Sequence, residues 1–227
     1  MKSYINNHPY LCEKDSSALI VFVCGEEESE FLNNLMISVE QECQVKLSWF
    51  IYSVNNWNDS LSPWPADPVF GKEAFGGLAK TTVNDLLTDV TESRKNSDTE
   101  TEIPIIFCGY SLAGLFALWT AYQTDLFAGI AAVSPSVWFP NWIEYSSSHI
   151  IHTDYVYLSL GDREAKTRNP IMSKVSDCIQ AEYEHLASSN QVKDVTFELN
   201  PGNHFQGVED RLSKALIWTV KRTTEII

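Results

Sequence analysis

One stretch in the middle of the chain constrains the fold more than any other feature. It runs from Ile105 to Gly114 with the sequence IIFCGYSLAG, and the apolar residues LFALW follow it. Four residues of types that favour strands precede Gly109, and strong helix formers with almost no polar side chain follow Ser111. The pattern predicts a strand, a tight turn and a buried helix, with one serine at the apex of the turn.

A serine at such an apex is typical of a nucleophile elbow, in which the turn presents the hydroxyl above the sheet. Small residues two before and two after the serine let the strand and helix approach closely, and these positions hold Gly109 and Ala113. The usual second glycine is therefore alanine, with Gly114 one place later. An elbow also places the backbone N–H of Leu112 at a helix N-terminus, where it can donate to an oxyanion. The alternative is a serine that only caps the helix.

Length, composition and charge bound the possible functions. The 227 residues are 44% hydrophobic and 20% charged, which predicts a single globular domain over residues 1–227, large enough for a sheet buried under helices on both faces. The formal net charge of −14 argues against a nucleic-acid or anionic-membrane partner. No apolar run approaches the ~18 residues needed to span a bilayer, and the first residues lack the apolar core of a signal peptide.

The cysteines indicate a reduced protein. They are Cys12, Cys24, Cys43, Cys108 and Cys178. An odd number, scattered without a C-x-x-C pair, is not the pattern of a disulfide framework or of a zinc site. We therefore expect free thiols, a cytoplasmic location and no metal site.

Apolar runs recur along the chain at the spacing of repeated strand–helix units. Besides the central one, the predicted strands are Ala18–Cys24, Val45–Ser53, Gly129–Val133, Tyr155–Leu160 and Val195–Leu199. The predicted helices between them begin at Gly25, span about Thr81–Glu92 and span about Pro170–Ser188. This alternation predicts a mostly parallel central sheet. Residues 4–14 are predicted to form either an edge strand or an irregular lead-in.

A long stretch from Asn55 to Gly77 has no helix or strand periodicity. Its three prolines and two tryptophans, Trp57 and Trp64, predict an ordered, packed loop. Two interpretations stay open: the tryptophans form the wall of an acyl or alcohol pocket beside the active site, or they fill the core. Trp138 follows a strand within a Ser-Pro-Ser segment and is predicted to be part of the same wall. The aromatic loop also offers a surface for a homodimer.

An acid and a histidine follow later strands in the order that a Ser-acid-His hydrolase requires. Glu164 stands three residues past Gly161, and Asp162 is the nearer alternative acid. His204 lies in a Pro-Gly turn directly after the last strand, where a general base can reach a serine on one side and an acid on the other. Ser111, Glu164 and His204 thus each follow a separate strand.

Other candidate nucleophiles and metal ligands fit less well. Ser134 and Ser136 lie among prolines and aromatic residues instead of on a small-residue turn before an apolar helix. His149 and His152 form an H-x-x-H pair without the carboxylates of a metal site around it. We rank both serines below Ser111 and predict no metal site at the two histidines.

Several segments resemble the esterase D-like family of α/β-hydrolases. They are Gly109–Leu118, Ser134–Trp138, Leu158–Glu164 and Gly202–Phe205. That family includes enterobactin-type siderophore esterases, feruloyl esterases, S-formylglutathione hydrolases and mycolyltransferases. The resemblance implies the α/β-hydrolase fold and ester chemistry with Ser111 as nucleophile and His204 as base. The chain departs from the family in being short, with no large cap domain, and the basic residues of the siderophore esterases have no evident counterpart.

Together these features predict a serine esterase that acts on a small-molecule ester without a metal or organic cofactor. Glu164 would hold the histidine tautomer, and the N–H groups of Leu112 and Glu26 would stabilise the oxyanion. Three alternatives stay open: an acyltransferase with the same site, a non-catalytic binding protein with this fold, and a Ser-His dyad or Asp162 in place of the Glu164 triad.

Overall fold

The architecture is a central sheet with helices packed against it. The computed structural model describes residues 2–5, 8–11, 15–25, 29–95 and 103–225. The described elements are β1 (Lys2–Ile5), β2 (His8–Leu11), β3 (Ala18–Cys24), α1 (Ser29–Cys43), β4 (Leu47–Ser53), α2 (Trp57–Leu61), β5 (Pro65–Ala66), β6 (Phe75–Gly76), α3 (Ala79–Lys95), β7 (Ile105–Tyr110), α4 (Leu112–Ala121), β8 (Gly129–Val133), α5 (Trp142–Ser148), β9 (Tyr155–Gly161), a 3-10 turn (Met172–Lys174), α6 (Val175–Ser189), β10 (Asp194–Asn200) and α7 (Val208–Thr223).

The large sheet has the strand order β1-β2-β4-β3-β7-β8-β9-β10. The strands from β4 to β10 in this order pair in parallel, whereas β2 pairs antiparallel with both β1 and β4. Strands β3 and β8 are buried at every residue, because a parallel sheet is covered on both faces. The predicted mostly parallel sheet is therefore confirmed.

Alternate side chains of the strands point into two separate cores. Leu19 and Val21 of β3 belong to the core that also contains apolar residues of α3, α4 and α6. Ile20 and Phe22 point to the opposite face and pack with α1 and α7. The prediction of helices on both faces is thus confirmed. None of the helices in the described ranges is long and apolar enough to cross a bilayer.

Several elements differ from the sequence predictions. The stretch predicted as a loop from Asn55 to Gly77 contains the short helix α2 and the two-stranded sheet β5–β6. At the N-terminus β1 and β2 form a hairpin that extends the large sheet. Helix α7 was not predicted, although its buried residues Leu212, Leu216 and Val220 repeat every four positions, as an amphipathic helix requires.

Candidate active site

Ser111 lies at the turn between β7 and α4, in a strained backbone conformation. Its φ and ψ are 60° and −121°, a region that residues with a Cβ rarely adopt. Three backbone hydrogen bonds hold the turn. The N–H of Ser111 donates to the carbonyl of Val133 at 3.0 Å, and the carbonyl of Ser111 accepts from the N–H groups of Leu115 at 3.1 Å and Ser136 at 3.0 Å. Such strain persists only where the surroundings determine it, and it is typical of functional sites.

The two small residues around the serine explain how the turn closes. A Cβ at Gly109 would overlap the backbone carbonyl of Ala113, so this position needs glycine. A Cβ at Gly114 would lie 3.0 Å from the carbonyl oxygen of Gly109 and 3.2 Å from Pro135. In the usual motif the second glycine stands two residues after the serine, where this chain has Ala113. Here the residue that packs closely against β7 and Pro135 is Gly114, one position later.

The structure brings Ser111, His204 and Glu164 together. The Nε2 atom of His204 lies 3.0 Å from the Oγ of Ser111, and the Nδ1 atom lies 2.7 Å from Oε2 of Glu164. The three residues follow β7, β10 and β9, whose carboxyl ends meet at one edge of the sheet. Asp162 does not contact the imidazole in this arrangement. Its side chain is half exposed, and Oδ1 accepts the N–H of Gly202 at 2.8 Å.

The carboxylate of Glu164 is buried and fully hydrogen-bonded. Its side chain is 4% exposed, and Oε1 accepts from the N–H of Gly161 at 2.7 Å and from the hydroxyl of Ser134 at 2.8 Å. Burial acts to raise the pKa of Glu164, but the hydrogen bond and the charge of His204, with the Gly161 and Ser134 hydrogen bonds, lower the pKa below its ordinary value. The group is therefore an anion at neutral pH, as a partner of an imidazolium must be.

Two residues of this site have roles that the sequence did not indicate. Arg211 on α7 is 1% exposed, and its Nη1 donates to Oε1 of Glu164 at 2.6 Å and to the Oγ of Ser134 at 2.9 Å. An arginine on an amphipathic helix normally lies in solvent, so no sequence signal distinguished it. For Ser134 the sequence predicts a weaker candidate nucleophile in a wall near the site, and not a hydrogen bond to the acid. The structure places its hydroxyl between Arg211 and Glu164.

Tyr110, next to the nucleophile, also contacts the histidine turn. Its hydroxyl donates to the backbone carbonyl of His204, and the two rings lie 5.2 Å apart. Burial raises the pKa of Tyr110 above its ordinary value, so the hydroxyl remains a donor. The histidine is therefore held through its backbone as well as through its ring.

The predicted oxyanion donors have different outcomes. Leu112 begins α4, so its N–H is among the first N–H groups of the helix, which have no acceptor within the helix. It lies directly after the nucleophile, as an oxyanion donor does. Glu26 lies outside the described residues. The assignment of both groups to the oxyanion hole stays a prediction.

The three predicted pocket tryptophans pack against the large core. The indole N–H of Trp64 donates to the carbonyl of Pro140 at 2.9 Å, and Trp57 is half buried against the same core. Trp138 is 9% exposed, and its ring lies 6.2 Å from the half-exposed ring of Phe70. Trp138 lies two residues after Ser136, whose N–H donates to the backbone carbonyl of Ser111. The three tryptophans therefore pack in or against the core, which was one of the two interpretations of the sequence. That they also contact a substrate stays a prediction.

His149 and His152, the H-x-x-H pair, contact residues of α4 and α5. The ring of His149 stacks on Tyr145 at 4.0 Å, and the backbone N–H of His152 donates to the carbonyl of Ala121. Among the residues that the structure describes, no group of three or more His, Cys, Asp or Glu side chains could hold a metal ion.

The fold, with its serine at a strained elbow, is that of the α/β-hydrolases. The sequence matches no protein-family model and no curated protein. Among solved structures, an IroE-like serine hydrolase from Shewanella oneidensis has a TM-score of 0.75 at 16% identity, over 95% of this chain and 74% of that chain. Siderophore hydrolase EstA from Aspergillus nidulans has a TM-score of 0.73 at 15% identity, over 98% of this chain and 94% of that one. These similarities show that the fold is shared.

Siderophore hydrolase EstB from Aspergillus nidulans gives a similar result. Its TM-score is 0.73 at 12% identity, over 100% of this chain and 95% of that chain. The similar structures thus include the type of enzyme to which the sequence resemblance pointed.

Proposed function

We propose that this protein is a serine hydrolase that cleaves carboxylic esters. The observation that carries the proposal is the chain of hydrogen bonds from Ser111 through His204 to Glu164, 3.0 Å and 2.7 Å long, which starts at a strained elbow. A weakly nucleophilic hydroxyl needs a base within this distance, and the base needs a group that fixes its tautomer. The serine hydrolases and siderophore hydrolases among the similar structures support the same chemistry.

The mechanism follows from the roles that these atoms can have. His204 Nε2 accepts the proton of Ser111 as Oγ attacks the acyl carbon, and the carbonyl oxygen becomes an oxyanion that the N–H of Leu112 stabilises. His204 then donates the proton to the leaving alcohol, which leaves an acyl-Ser111 ester. A water molecule, deprotonated by the same nitrogen, attacks the acyl carbon. His204 then donates that proton to Oγ of Ser111 as the acyl–oxygen bond breaks, and the acid is released. Glu164 stabilises the imidazolium in both steps without taking its proton. The N–H of Glu26 is proposed as the second oxyanion donor.

The proposed substrate is a small-molecule ester. Because two of the similar structures are named siderophore hydrolases, siderophore esters should be the first substrates tested. The net charge of −14 disfavours strongly anionic esters, since the protein would repel them at long range. A panel of neutral acyl esters, graded in chain length and with aromatic members, should therefore be measured beside the siderophore esters.

Labelling with a fluorophosphonate tests the proposal. We expect the wild type to be modified stoichiometrically at Ser111, as read by intact mass and peptide mapping. Ser111→Ala should take no label, and His204→Ala should be labelled far more slowly because the hydroxyl lacks its base. His149→Ala is the matched control: it also removes a histidine ring, but one that stacks on Tyr145, and should be labelled like the wild type.

Two results would contradict the proposal. A folded wild type that takes no label has no activated serine and would favour a binding protein with a hydrolase fold. Equal labelling of the wild type and His204→Ala would show that the imidazole does not activate Ser111.

We also propose a reducing location, such as the cytoplasm. The support is that the four cysteines in the described ranges, Cys24, Cys43, Cys108 and Cys178, are all free thiols. Alkylation of protein unfolded directly from its native source should modify every cysteine without prior reduction. Protection of any pair until a reductant is added would contradict this location.

A further inference from the structure

The side chain of Arg211 joins three loops of the site. Its Nη1 contacts Glu164, after β9, at 2.6 Å and Ser134, after β8, at 2.9 Å. Its Nη2 donates to the backbone carbonyls of Asn203 at 2.7 Å and Gln206 at 2.6 Å, in the turn after β10. One buried guanidinium therefore contacts the acid and the turn that carries the base.

The two carbonyls that Arg211 binds lie on either side of His204 in the sequence. The carbonyl of His204 itself accepts the hydroxyl of Tyr110. Because Nη1 and Nη2 belong to one planar group, the distance between Glu164 and the histidine turn is set by the guanidinium. A lysine carries the charge but cannot make this pair of contacts from a single planar fork.

Stability alone is a weak explanation for this arrangement. Arg211 and Glu164 are 1% and 4% exposed, and the free-energy cost of removing two such charges from water can exceed what their attraction returns. The Nε of Arg211 is also buried and has no hydrogen-bond partner among the described residues, which adds to the cost. Apolar residues of similar volume often fold as well as a buried ion pair. An apolar residue at position 211 could not bind the backbone carbonyls on either side of His204, so the position of the His204 turn would no longer be fixed.

We propose that Arg211 is a positioning residue that holds the Glu164 carboxylate and the His204 turn in a fixed relative position. The contact of His204 Nδ1 with Glu164 then orients the ring so that Nε2 reaches the hydroxyl of Ser111. Ser134 supports the arrangement through its hydrogen bonds to both Arg211 and Glu164. This proposal rests on the proposed function, since the positioned ring is the general base.

The test compares Arg211→Lys, Arg211→Met and Ser134→Ala with the wild type. The matched control is Lys214→Met, which removes a cation from the same helix, where it contacts Glu198 and Asn200 outside the site. For each folded variant we would measure kcat and KM with an activated ester, the rate of fluorophosphonate labelling, and the low-field NMR signal of the His204 Nδ1 proton. Circular dichroism checks the fold.

We expect kcat of Arg211→Met to fall roughly 100-fold with little change in KM, because a small misplacement of a reacting group has an effect of this size. Arg211→Lys should be intermediate, and Ser134→Ala should lose roughly tenfold, the effect of one hydrogen bond to a charged group. The Nδ1 proton signal should broaden or vanish in both Arg211 variants. Lys214→Met should match the wild type in every measurement.

Wild-type kcat in a folded Arg211→Lys or Arg211→Met would overturn the proposal, as would a slow variant that keeps the wild-type Nδ1 signal. If Arg211→Met does not fold, Arg211→Lys and Ser134→Ala decide by the same criteria, and full activity in both overturns the proposal. Failure of the proposed function is a separate result. If the wild type takes no fluorophosphonate label, the Nδ1 proton signals of the wild type and the Arg211 variants still show whether Arg211 orders the contact between His204 and Glu164.

Discussion

Glu182 on α6 is a buried carboxyl whose hydrogen bonds within the described part of the chain include no cation, and replacing it by glutamine should stabilise the protein at neutral pH. The side chain is 0% exposed. Its oxygens accept from the hydroxyl of Tyr122 at 3.3 Å and the indole N–H of Trp142 at 3.1 Å. Burial raises the pKa of Glu182 from 4.5 to about 7, and hydrogen bonds from Ser146, Tyr122 and Trp142 offset only part of this effect.

The size of the effect follows from the two pKa values. Below pH 4.5 the carboxyl is protonated in both the folded and the unfolded chain. Between pH 4.5 and about 7 the unfolded chain releases the proton first, so the free energy of unfolding falls as the pH rises. At about 1.36 kcal/mol per pH unit, the loss is about 3 kcal/mol and is complete above the folded pKa.

Glu182→Gln keeps the shape and has no charge to bury: its amide oxygen can accept from the indole N–H of Trp142, and its amide N–H can donate to the hydroxyl oxygen of Tyr122. We would measure urea unfolding of wild type and variant from about pH 5.5 to about pH 8, above the isoelectric point of 4.7 where solubility is lowest. Over this range the stability of the variant relative to the wild type should rise by about 2 kcal/mol. Glu184→Gln is the control, because it removes an exposed carboxyl from the same helix and should show no such rise. A pH-independent difference between Glu182→Gln and the wild type would refute the reasoning.

Three further predictions concern the elbow, the acid and a buried thiol. Gly109→Ala should cost about 2 kcal/mol or more in the free energy of unfolding, because its Cβ overlaps the Ala113 carbonyl, and urea unfolding measures the loss; an unchanged stability would contradict this. Glu164→Gln should lower kcat on the order of 10³-fold or more, while Asp162→Asn keeps near wild-type activity; the reverse order in ester-hydrolysis kinetics would make Asp162 the acid. Burial raises the pKa of Cys108, so iodoacetamide should alkylate it at neutral pH only after unfolding, and mass spectrometry of the native protein would show any earlier reaction.

The sequence by itself was enough to predict the mostly parallel sheet with helices on both faces, because short-range patterns mark its strands, although α2, α7 and the β5–β6 sheet were not predicted. Continuous apolar runs mark strands that are buried on both faces, and their alternation with helices permits few sheet topologies. In a parallel sheet the carboxyl ends of all strands lie at one edge. Residues that directly follow separate strands, as Ser111, Glu164 and His204 do, are therefore expected near one another before any distance is known.

Only the tertiary structure decided which acid contacts the imidazole and what holds that acid. Glu164 and Asp162 are two residues apart in one loop, and the offset from Gly161 favours Glu164 without excluding Asp162. In the structure Glu164 lies at His204 Nδ1. Arg211 is 47 residues from Glu164 in the sequence, and its burial depends on α7 packing back under the site. The environment of a charged side chain is set by such distant partners, and the charge of arginine alone predicts a solvent-exposed position. Local patterns therefore located the reacting groups, whereas long-range packing determined which residues, such as Arg211 and Ser134, hold Glu164 in place.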